Sequence, residues 1–342
     1  IADGKLILFH RVRAEEVIEA LNADTGAPVW RYAYPTNYRD DFGFDEGPRA
    51  VPVIANGVIY TFGAQGQLHA VGLADGKKRW SIDTAKQFGV NKGFFGAAGS
   101  PIVEDGRVIA NVGGKGAGVV AFDAATGRVL WSATDDEASY SSGVSATLGG
   151  RKLAIFLTRA GLLGLEPANG NVVFRRPWRA RIAASVNAAS PIVVGEQLFV
   201  SAEYGPGAGL LRLDNGKLVD VWSCIDALTT HYATPVLANG VLYGYHGRQE
   251  FGPALRAVDL ATGKVRWSQE QFRAGSILLA GERLLIMREG GELILADATP
   301  EAFRPRARAK ILPAVVRAFP ALANGIFYVR NENTLAALDL RK

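Results

Sequence analysis

The chain has 342 residues, of which 48% are hydrophobic and 21% are charged, and its formal net charge is +5. These values are typical of a folded globular protein and exclude a disordered chain. No apolar run approaches the roughly 18 residues of a membrane-spanning helix. A single cysteine, Cys224, excludes both an intramolecular disulfide and a thiolate metal cluster.

Two kinds of turn alternate along the chain, and the first is a two-residue turn between apolar runs. Asn-Gly and Asp-Gly in such turns indicate β-hairpins, because both central residues need positive φ. The turn occurs eight times, at Asp3-Gly4, Asn56-Gly57, Asp105-Gly106, Gly149-Gly150, Gly195-Glu196, Asn239-Gly240, Gly281-Glu282 and Asn324-Gly325.

The second kind is a longer turn that follows an Asp or an equivalent residue and ends in glycine. An aromatic residue follows it, usually four positions later. The turn glycines are Gly26, Gly76, Gly127, Gly170, Gly216 and Gly263, which lie 43 to 51 residues apart. Repeats of this length that each hold two hairpins are typical of propeller blades.

We therefore predict an all-β fold, an eight-bladed β-propeller of four-stranded antiparallel blades, as a single domain over residues 1–342. The strands of each blade are named A to D in chain order, so the short turn joins A to B and the longer turn joins C to D. We expect the aromatic residue after each C–D turn to dock between adjacent blades. These residues are Trp30, Trp80, Trp131, Phe174, Trp222 and Trp267.

The repeat is incomplete at both ends of the sequence. Ile1 lies two residues before the first A–B turn, so the first blade lacks most of strand A. Residues 335–340 read as strand C of the eighth blade, and no strand D follows. We expect a segment upstream of residue 1 to supply both missing strands and to close the ring.

The repeated turn resembles that of the PQQ-like repeat family, which includes quinoprotein alcohol dehydrogenase-like and BamB-like propellers. The resemblance covers nearly the whole chain and is carried by Ala23-Asp24-Thr25-Gly26…Trp30, Ala124-Ala125-Thr126-Gly127…Trp131 and Ala261-Thr262-Gly263…Trp267. It implies an exported protein of the periplasm or cell surface. Some members bind pyrroloquinoline quinone (PQQ) with Ca²⁺ and oxidise alcohols, while many bind no cofactor.

Candidate ligand-binding residues come from the loops opposite the tight turns. Turns A–B and C–D share one face of an antiparallel blade, so the longer B–C and D–A loops share the other, where functional residues concentrate. We select Arg49, Phe95, Tyr140, Asn187, His231, Tyr232, Arg248 and Arg317. The alternative is that these side chains pair with one another and with buried loop backbone.

Acidic residues of the first D–A loop could supply oxygen ligands for Ca²⁺. Their spacing is not that of an EF-hand, and pairing with Arg39 and Arg49 is the simpler interpretation. The loop carboxylates are Asp40, Asp41, Asp45 and Glu46. The four histidines do not share a zinc-binding spacing, and there is no Gly-x-Ser-x-Gly elbow. We predict neither a metal site nor a catalytic residue.

One basic segment alternates at period two, which places its four cations on one face of a strand. The cations are Arg304, Arg306, Arg308 and Lys310, on the expected D strand of the seventh blade. Charges on an edge strand block aggregation between sheets. Basic and acidic residues are nearly balanced, 38 against 33, and no nucleic-acid-reading motif is present, so we predict no nucleic-acid partner.

These observations favour a non-catalytic binding or scaffold propeller of the cell envelope. We expect it to act as a monomer and to bind a protein segment or a small polar or anionic ligand at the long-loop face, without a cofactor. The alternative is a PQQ- and Ca²⁺-dependent dehydrogenase of alcohols or polymers. Its aromatic platform and carboxylates would come from Phe94, Phe95, Asp40 and Asp41.

Overall fold

The computed structural model describes residues 1–180, 182 and 185–341. The chain is an eight-bladed β-propeller, with one antiparallel sheet for each sequence repeat. It divides into two compact units, Ile1–Trp178 with Leu213–Leu218, and Arg179–Arg212 with Val219–Lys342. The single domain over residues 1–342 stays a prediction.

The first four sheets hold β1 to β15 and one short helix. The strands are β1 (Lys5–Val12), β2 (Glu15–Asn22), β3 (Pro28–Pro35), β4 (Val53–Ala55), β5 (Val58–Phe62), β6 (Gln67–Gly72), β7 (Lys78–Asp83), β8 (Ile102–Glu104), β9 (Arg107–Gly114), β10 (Ala117–Asp123), β11 (Val129–Ala133), β12 (Val144–Leu148), β13 (Arg151–Leu157), β14 (Gly161–Leu165) and β15 (Val172–Pro177). The helix, α1 (Thr84–Phe88), follows β7.

The last four sheets hold β16 to β30. The strands are β16 (Ile192–Val194), β17 (Gln197–Ala202), β18 (Gly207–Asp214), β19 (Lys217–Cys224), β20 (Val236–Ala238), β21 (Val241–His246), β22 (Ala254–Asp259), β23 (Val265–Gln269), β24 (Gly275–Ala280), β25 (Arg283–Arg288), β26 (Glu292–Asp297), β27 (Pro305–Lys310), β28 (Ala321–Ala323), β29 (Ile326–Arg330) and β30 (Leu335–Asp339). A 3-10 turn, Gln249–Phe251, follows β21.

Strands within every sheet pair in chain order, so each blade is an antiparallel meander. In the described part of the chain, six sheets have four strands. The first sheet, β1-β2-β3, holds strands B to D, and the last, β28-β29-β30, holds strands A to C. Closure of the ring by an upstream segment stays a prediction.

The A–B turns have the backbone that the Asn-Gly and Asp-Gly signals predict. At Asn56-Gly57, φ is 49° and 72°, and both values lie in the region that a type I′ hairpin requires. Where the pair is Gly-Glu, only the glycine has a positive φ, as in a type II′ turn. The value is 56° at Gly195 and 57° at Gly281. The sequence therefore sets the hairpin type locally.

The C–D turns are closed by the acidic residue of the repeat. In the third blade, Asp123 Oδ1 accepts hydrogen bonds from the Thr126 N–H at 2.8 Å and the Thr126 hydroxyl at 2.7 Å. Gly127 follows with a φ of 76°. The same residue must be glycine for a second reason, because a Cβ there would lie 2.8 Å from the indole of Trp80 in the preceding blade.

Aromatic residues after the C–D turns contact the next blade. The Trp80 indole N–H donates to the Ala124 carbonyl at 2.9 Å, which fixes the ring over the neighbouring turn. Four other tryptophans make the equivalent bond, at 2.8–3.0 Å: Trp30 to Leu73, Trp131 to Pro167, Trp222 to Leu260, and Trp267 to Thr299. Phe174 is buried beside Gly164 of its own sheet and has no N–H to donate.

The hydrophobic core lies between neighbouring sheets. One cluster joins Leu68 and Trp80 of the second sheet to Val108, Val120 and Phe122 of the third. A second cluster joins the sixth and seventh sheets in the same way. Within the described residues, no helix has the length and apolar character needed to cross a bilayer.

Candidate functional site

Four phenylalanines from two D–A loops form a surface that we call the phenylalanine patch. Phe42 and Phe44 lie in the loop between β3 and β4, and Phe94 and Phe95 lie in the loop between α1 and β8. The Phe42 ring centroid lies 5.1 Å from that of Phe95 and 6.0 Å from that of Phe94. Phe42 is 51% exposed and Phe44 is 53% exposed. Contiguous exposed aromatic side chains of this kind mark interaction surfaces.

The loop that carries Phe42 and Phe44 is shaped around one carboxylate. Asp40 Oδ2 accepts the backbone N–H groups of Phe42 at 3.0 Å and Phe44 at 2.9 Å. Asp40 Oδ1 accepts from the Arg49 guanidinium at 3.0 Å, and the Asp40 side chain is fully buried. Arg49 also donates to the Tyr38 hydroxyl at 3.3 Å. Burial raises the pKa of the Tyr38 hydroxyl to about 12, so it stays protonated at neutral pH.

Three cations surround the patch, and each lies over an aromatic ring. Arg49 is 5.8 Å from the Phe95 centroid, Lys92 is 5.3 Å from that of Tyr38, and Arg159 is 5.6 Å from that of Phe94. Each cation also has an acidic partner, Asp40 at 3.0 Å, Asp41 at 2.6 Å and Glu137 at 3.0 Å respectively. The cations therefore hold the rings in place rather than presenting free positive charge.

A buried group of residues from the first two sheets is here called the support layer. It consists of the side chains of Glu16, Tyr34 and His69 and the backbone of Ala64. Glu16 is fully buried and accepts the Tyr34 hydroxyl at 2.6 Å and the Ala64 N–H at 2.9 Å. Burial raises the pKa of Glu16 in spite of these bonds. The Tyr34 ring stacks on His69 with centroids 3.8 Å apart, and burial lowers the pKa of His69 to about 3.

The support layer is connected to the loop that carries Phe95. The Ala64 carbonyl accepts the Ala97 N–H at 2.9 Å, two residues after Phe95. On its other side, Phe95 packs against Tyr140 with centroids 5.4 Å apart, and its N–H donates to the Tyr140 hydroxyl at 3.4 Å. Burial raises the pKa of Tyr140. Three of the predicted ligand-binding residues, Arg49, Phe95 and Tyr140, therefore lie together.

A second group, in the other unit, surrounds Glu289 and is called the Glu289 network. Glu289 Oε1 accepts the Tyr232 hydroxyl at 2.6 Å and the Arg317 Nε–H at 3.1 Å. Glu289 Oε2 accepts the Gln249 side-chain N–H at 3.1 Å. The Glu289 side chain is 17% exposed. Burial, more than the nearby Glu289 carboxylate, raises the pKa of the Tyr232 hydroxyl well above its usual value. One carboxylate thus satisfies donors from three separate loops.

The predicted residues His231 and Arg248 lie beside this network. The Tyr204 hydroxyl and the His231 Nε2 are 2.9 Å apart. Arg248 lies over the Tyr204 ring at 4.7 Å and over the Phe251 ring at 5.0 Å. Burial lowers the pKa of His231, so its imidazole stays neutral near pH 7. Phe251 is 70% exposed.

A cavity beside the Glu289 network is too small for an organic ligand. His231, Tyr232, Tyr245 and Gln249 are among its lining residues, and its volume is about 10 Å³. The Tyr245 hydroxyl is buried and has no hydrogen-bond partner among the residues that the structure describes. This is the space of one water molecule. Glu289 accepts hydrogen bonds from Tyr232, Gln249 and Arg317, and ligand binding by Tyr232 and Arg317 stays a prediction.

The structure thus distributes the predicted ligand-binding residues over two units. Arg49, Phe95 and Tyr140 belong to the phenylalanine patch, and Tyr232 and Arg317 belong to the Glu289 network, with His231 and Arg248 beside it. Asn187 is buried, with 4% of its surface exposed. The sequence reasoning missed Glu289, although it follows β25 in a B–C loop, the same kind of loop that supplied Arg248. It also missed Glu16, one of three glutamates in β2, because the sequence does not show which of the three is buried.

The side-chain chemistry at the patch does not fit a divalent cation. Asp40 is committed to Arg49 and to two backbone N–H groups, and Asp41 pairs with Lys92 at 2.6 Å. Throughout residues 1–180, 182 and 185–341, no group of three or more His, Cys, Asp or Glu side chains could hold a metal ion.

A family model matches nearly the whole chain. The model of the family described as outer membrane protein assembly factor BamB matches residues 14–269 and 250–342. BamB from Salmonella typhimurium strain LT2 is 24% identical over 271 residues, which are 71% of this chain and 62% of that protein. The chain therefore spans less than two thirds of the length of this curated relative.

A partial match is to quinohemoprotein alcohol dehydrogenase ADH-IIG of Pseudomonas putida. The two chains are 33% identical over 122 residues, which are 34% of this chain and 16% of that enzyme.

Two solved structures share the fold. BamB from Moraxella catarrhalis superposes with a TM-score of 0.70 at 15% identity, over 98% of this chain and 91% of that one. A europium-containing methanol dehydrogenase gives a TM-score of 0.72 at 12% identity, over 96% of this chain and 81% of that one. Both likenesses concern the architecture alone, because a propeller scaffold hosts unrelated functions.

Proposed function

This chain belongs to the family of outer membrane protein assembly factor BamB, and from that membership we propose that it is a non-catalytic, exported scaffold of the cell envelope. In this proposal a monomer binds a protein segment through the phenylalanine patch. The Salmonella relative is named an outer membrane protein assembly factor, so a segment of an outer membrane protein is the partner to test first.

The exposure of Phe42 and Phe44 is the observation that carries this proposal. Two aromatic rings more than half exposed, beside Phe94 and Phe95, make a rigid apolar surface rimmed by charged groups. Aromatic anchors of this type supply most of the binding energy in protein interfaces. A small anion is a poorer candidate, because Arg49, Lys92 and Arg159 already have acidic partners.

The test measures binding of a synthetic peptide that copies one aromatic-rich transmembrane strand of an outer membrane β-barrel protein. Isothermal titration would compare the chain with the double variant Phe42→Ser, Phe44→Ser. We expect at least about a tenfold loss of affinity, as for the removal of two interface anchors. Phe251→Ser is the matched control, since Phe251 is exposed but lies outside the patch. Equal binding by the double variant and the control would contradict the proposal.

Enzymatic activity is tested separately, because the partial relative is a quinohemoprotein dehydrogenase. The protein would be incubated with PQQ and Ca²⁺ and passed through a gel filtration column. We expect no quinone absorbance in the protein peak and no alcohol-dependent dye reduction. Retained quinone together with turnover would overturn the non-catalytic part of the proposal.

A further inference from the structure

The seventh sheet ends in a strand, β27, that differs from every other D strand. All six residues of β27 are exposed, whereas β3, β7, β11, β15, β19 and β23 each contain at least one buried or half-buried residue. The sheet order ends at β27, whose partner is β26. Its second backbone edge is therefore unpaired within the described sheets.

The register explains why β27 is exposed. In the sixth sheet, Trp267 lies opposite Ala257, one residue before a β-bulge. In the seventh sheet, Ala307 lies opposite Leu295 at the same place relative to the bulge. Ala307 thus takes the position of the docking aromatic, and β27 has no ring to insert beside a neighbouring turn.

Positive charge is concentrated on this strand. Arg304, Arg306, Arg308 and Lys310 lie within seven residues, in a chain whose net charge is +5. Arg306 donates a hydrogen bond to Asp297 at 2.8 Å, and this bond is the main reason that the pKa of the Asp297 carboxyl is lowered. Arg308 has no ion-pair partner among the residues described.

We infer that the free edge of β27 binds an acidic protein segment, which joins the seventh sheet as an additional strand. Alternate residues of any β-strand lie about 6.7 Å apart on one face, so a segment with Asp or Glu at alternate positions can place two carboxylates opposite Arg308 and Lys310. The unpaired backbone of β27 supplies the hydrogen-bonding ladder for strand addition. Ala307 and Ala309 leave the opposite face unobstructed.

The combination of charge and free backbone favours a peptide over an anionic membrane. A bilayer surface would respond to the same cations, but it offers no strand to pair with a sheet edge. Binding that depends on the backbone N–H groups of the ligand therefore distinguishes a peptide from an anionic membrane.

The experiment uses a labelled peptide, Thr-Glu-Val-Glu-Val-Glu-Thr, and fluorescence anisotropy with the full chain. We expect saturable binding that weakens at higher salt. The double variant Arg308→Glu, Lys310→Glu should bind at least about tenfold more weakly, because two attractive contacts become repulsive. The control reverses two exposed cations in other blades, Lys77→Glu and Arg128→Glu, and should bind as the wild type does.

A second peptide carries N-methyl groups on alternate backbone nitrogens, which remove ladder donors and keep all charges. Weaker binding of this peptide supports strand addition. Equal binding of both peptides overturns it, as does an equal loss in the two double variants. Binding of phosphatidylglycerol vesicles without binding of the peptide also overturns the proposal. Circular dichroism checks the fold of each variant, and Arg308→Gln is the milder substitute if the double variant is unfolded.

Discussion

The phenylalanine patch and the Glu289 network are both built from long loops, yet they leave different groups exposed. In the network, one carboxylate accepts from Tyr232, Gln249 and Arg317, and the adjoining cavity holds about 10 Å³. In the patch, charges are paired internally, and the rings of Phe42 and Phe44 remain more than half exposed. Buried polar groups must be hydrogen-bonded, whereas contiguous exposed aromatic groups mark an interaction surface.

Under the proposed function, the Glu289 network contributes to stability and the phenylalanine patch to recognition. Polar side chains in loops are often taken as ligand contacts, but those around Glu289 connect the loops to each other. We expect the exposed rings of the patch to contribute little to holding their loop, because Asp40 bonds to the loop backbone and to Arg49. Substitutions that separate stability from binding therefore test whether the two regions differ in this way.

The largest expected effect is that of Glu289→Ala. Removal of the carboxylate leaves three donors without their acceptor, and we expect a loss of about 3 kcal/mol in the free energy of unfolding. Urea unfolding at pH 7 measures it. Glu289→Gln keeps one acceptor oxygen, so its free energy of unfolding should lie between those of the wild type and Glu289→Ala. Glu282→Ala, at an exposed turn, is the control. If Glu289→Ala unfolded at the same urea concentration as the wild type, the Glu289 network would not stabilise the fold.

The second effect is acid sensitivity arising from His69 in the support layer. Its folded pKa of about 3 lies below the unfolded value of about 6.5, so the unfolded chain binds more protons below pH 6.5. Stability is therefore lost as pH falls from 6.5 towards 3, by about 2 kcal/mol between pH 7 and pH 5. Urea unfolding at both pH values would show this loss.

The variant His69→Phe keeps the stack on Tyr34 and cannot bind a proton. Between pH 7 and pH 5 we expect the variant to lose about 2 kcal/mol less stability than the wild type loses. His231→Phe tests the histidine beside the Glu289 network, where burial shifts the pKa in the same direction. Because His69 is more deeply buried than His231, its substitution should flatten the pH profile more. Parallel profiles for wild type and His69→Phe would contradict the assignment.

Much of the fold follows from local sequence, because its turns are local. Asn56-Gly57 sets a type I′ hairpin by its backbone alone, and Asp123 with Gly127 closes a C–D turn within five residues. The contact of Trp80 with the next blade also follows from the repeat. These features need no knowledge of distant residues.

The candidate site was less predictable because loop direction depends on contacts far apart in sequence. Arg49, Phe95 and Tyr140 were selected from the long loops, and in the structure Phe95 contacts both Arg49 and Tyr140. Tyr232 and Arg317 were assigned to ligand binding, but Glu289, 57 residues after Tyr232, accepts the Tyr232 hydroxyl. No spacing rule connects these loops, so the acceptor could be found only in three dimensions.

The smallest expected effect is on the stability of the patch itself. Phe42→Ser and Phe44→Ser, each made singly, should lower the free energy of unfolding by less than about 1 kcal/mol, since both rings are mostly exposed in the folded state. Phe95→Ser should cost more, because that ring lies between Phe42 and Tyr140. Urea unfolding of the three variants measures the order. If Phe42→Ser were as destabilising as Phe95→Ser, the exposed rings would be holding the loops together, and the division between a stabilising network and a recognition surface would fail.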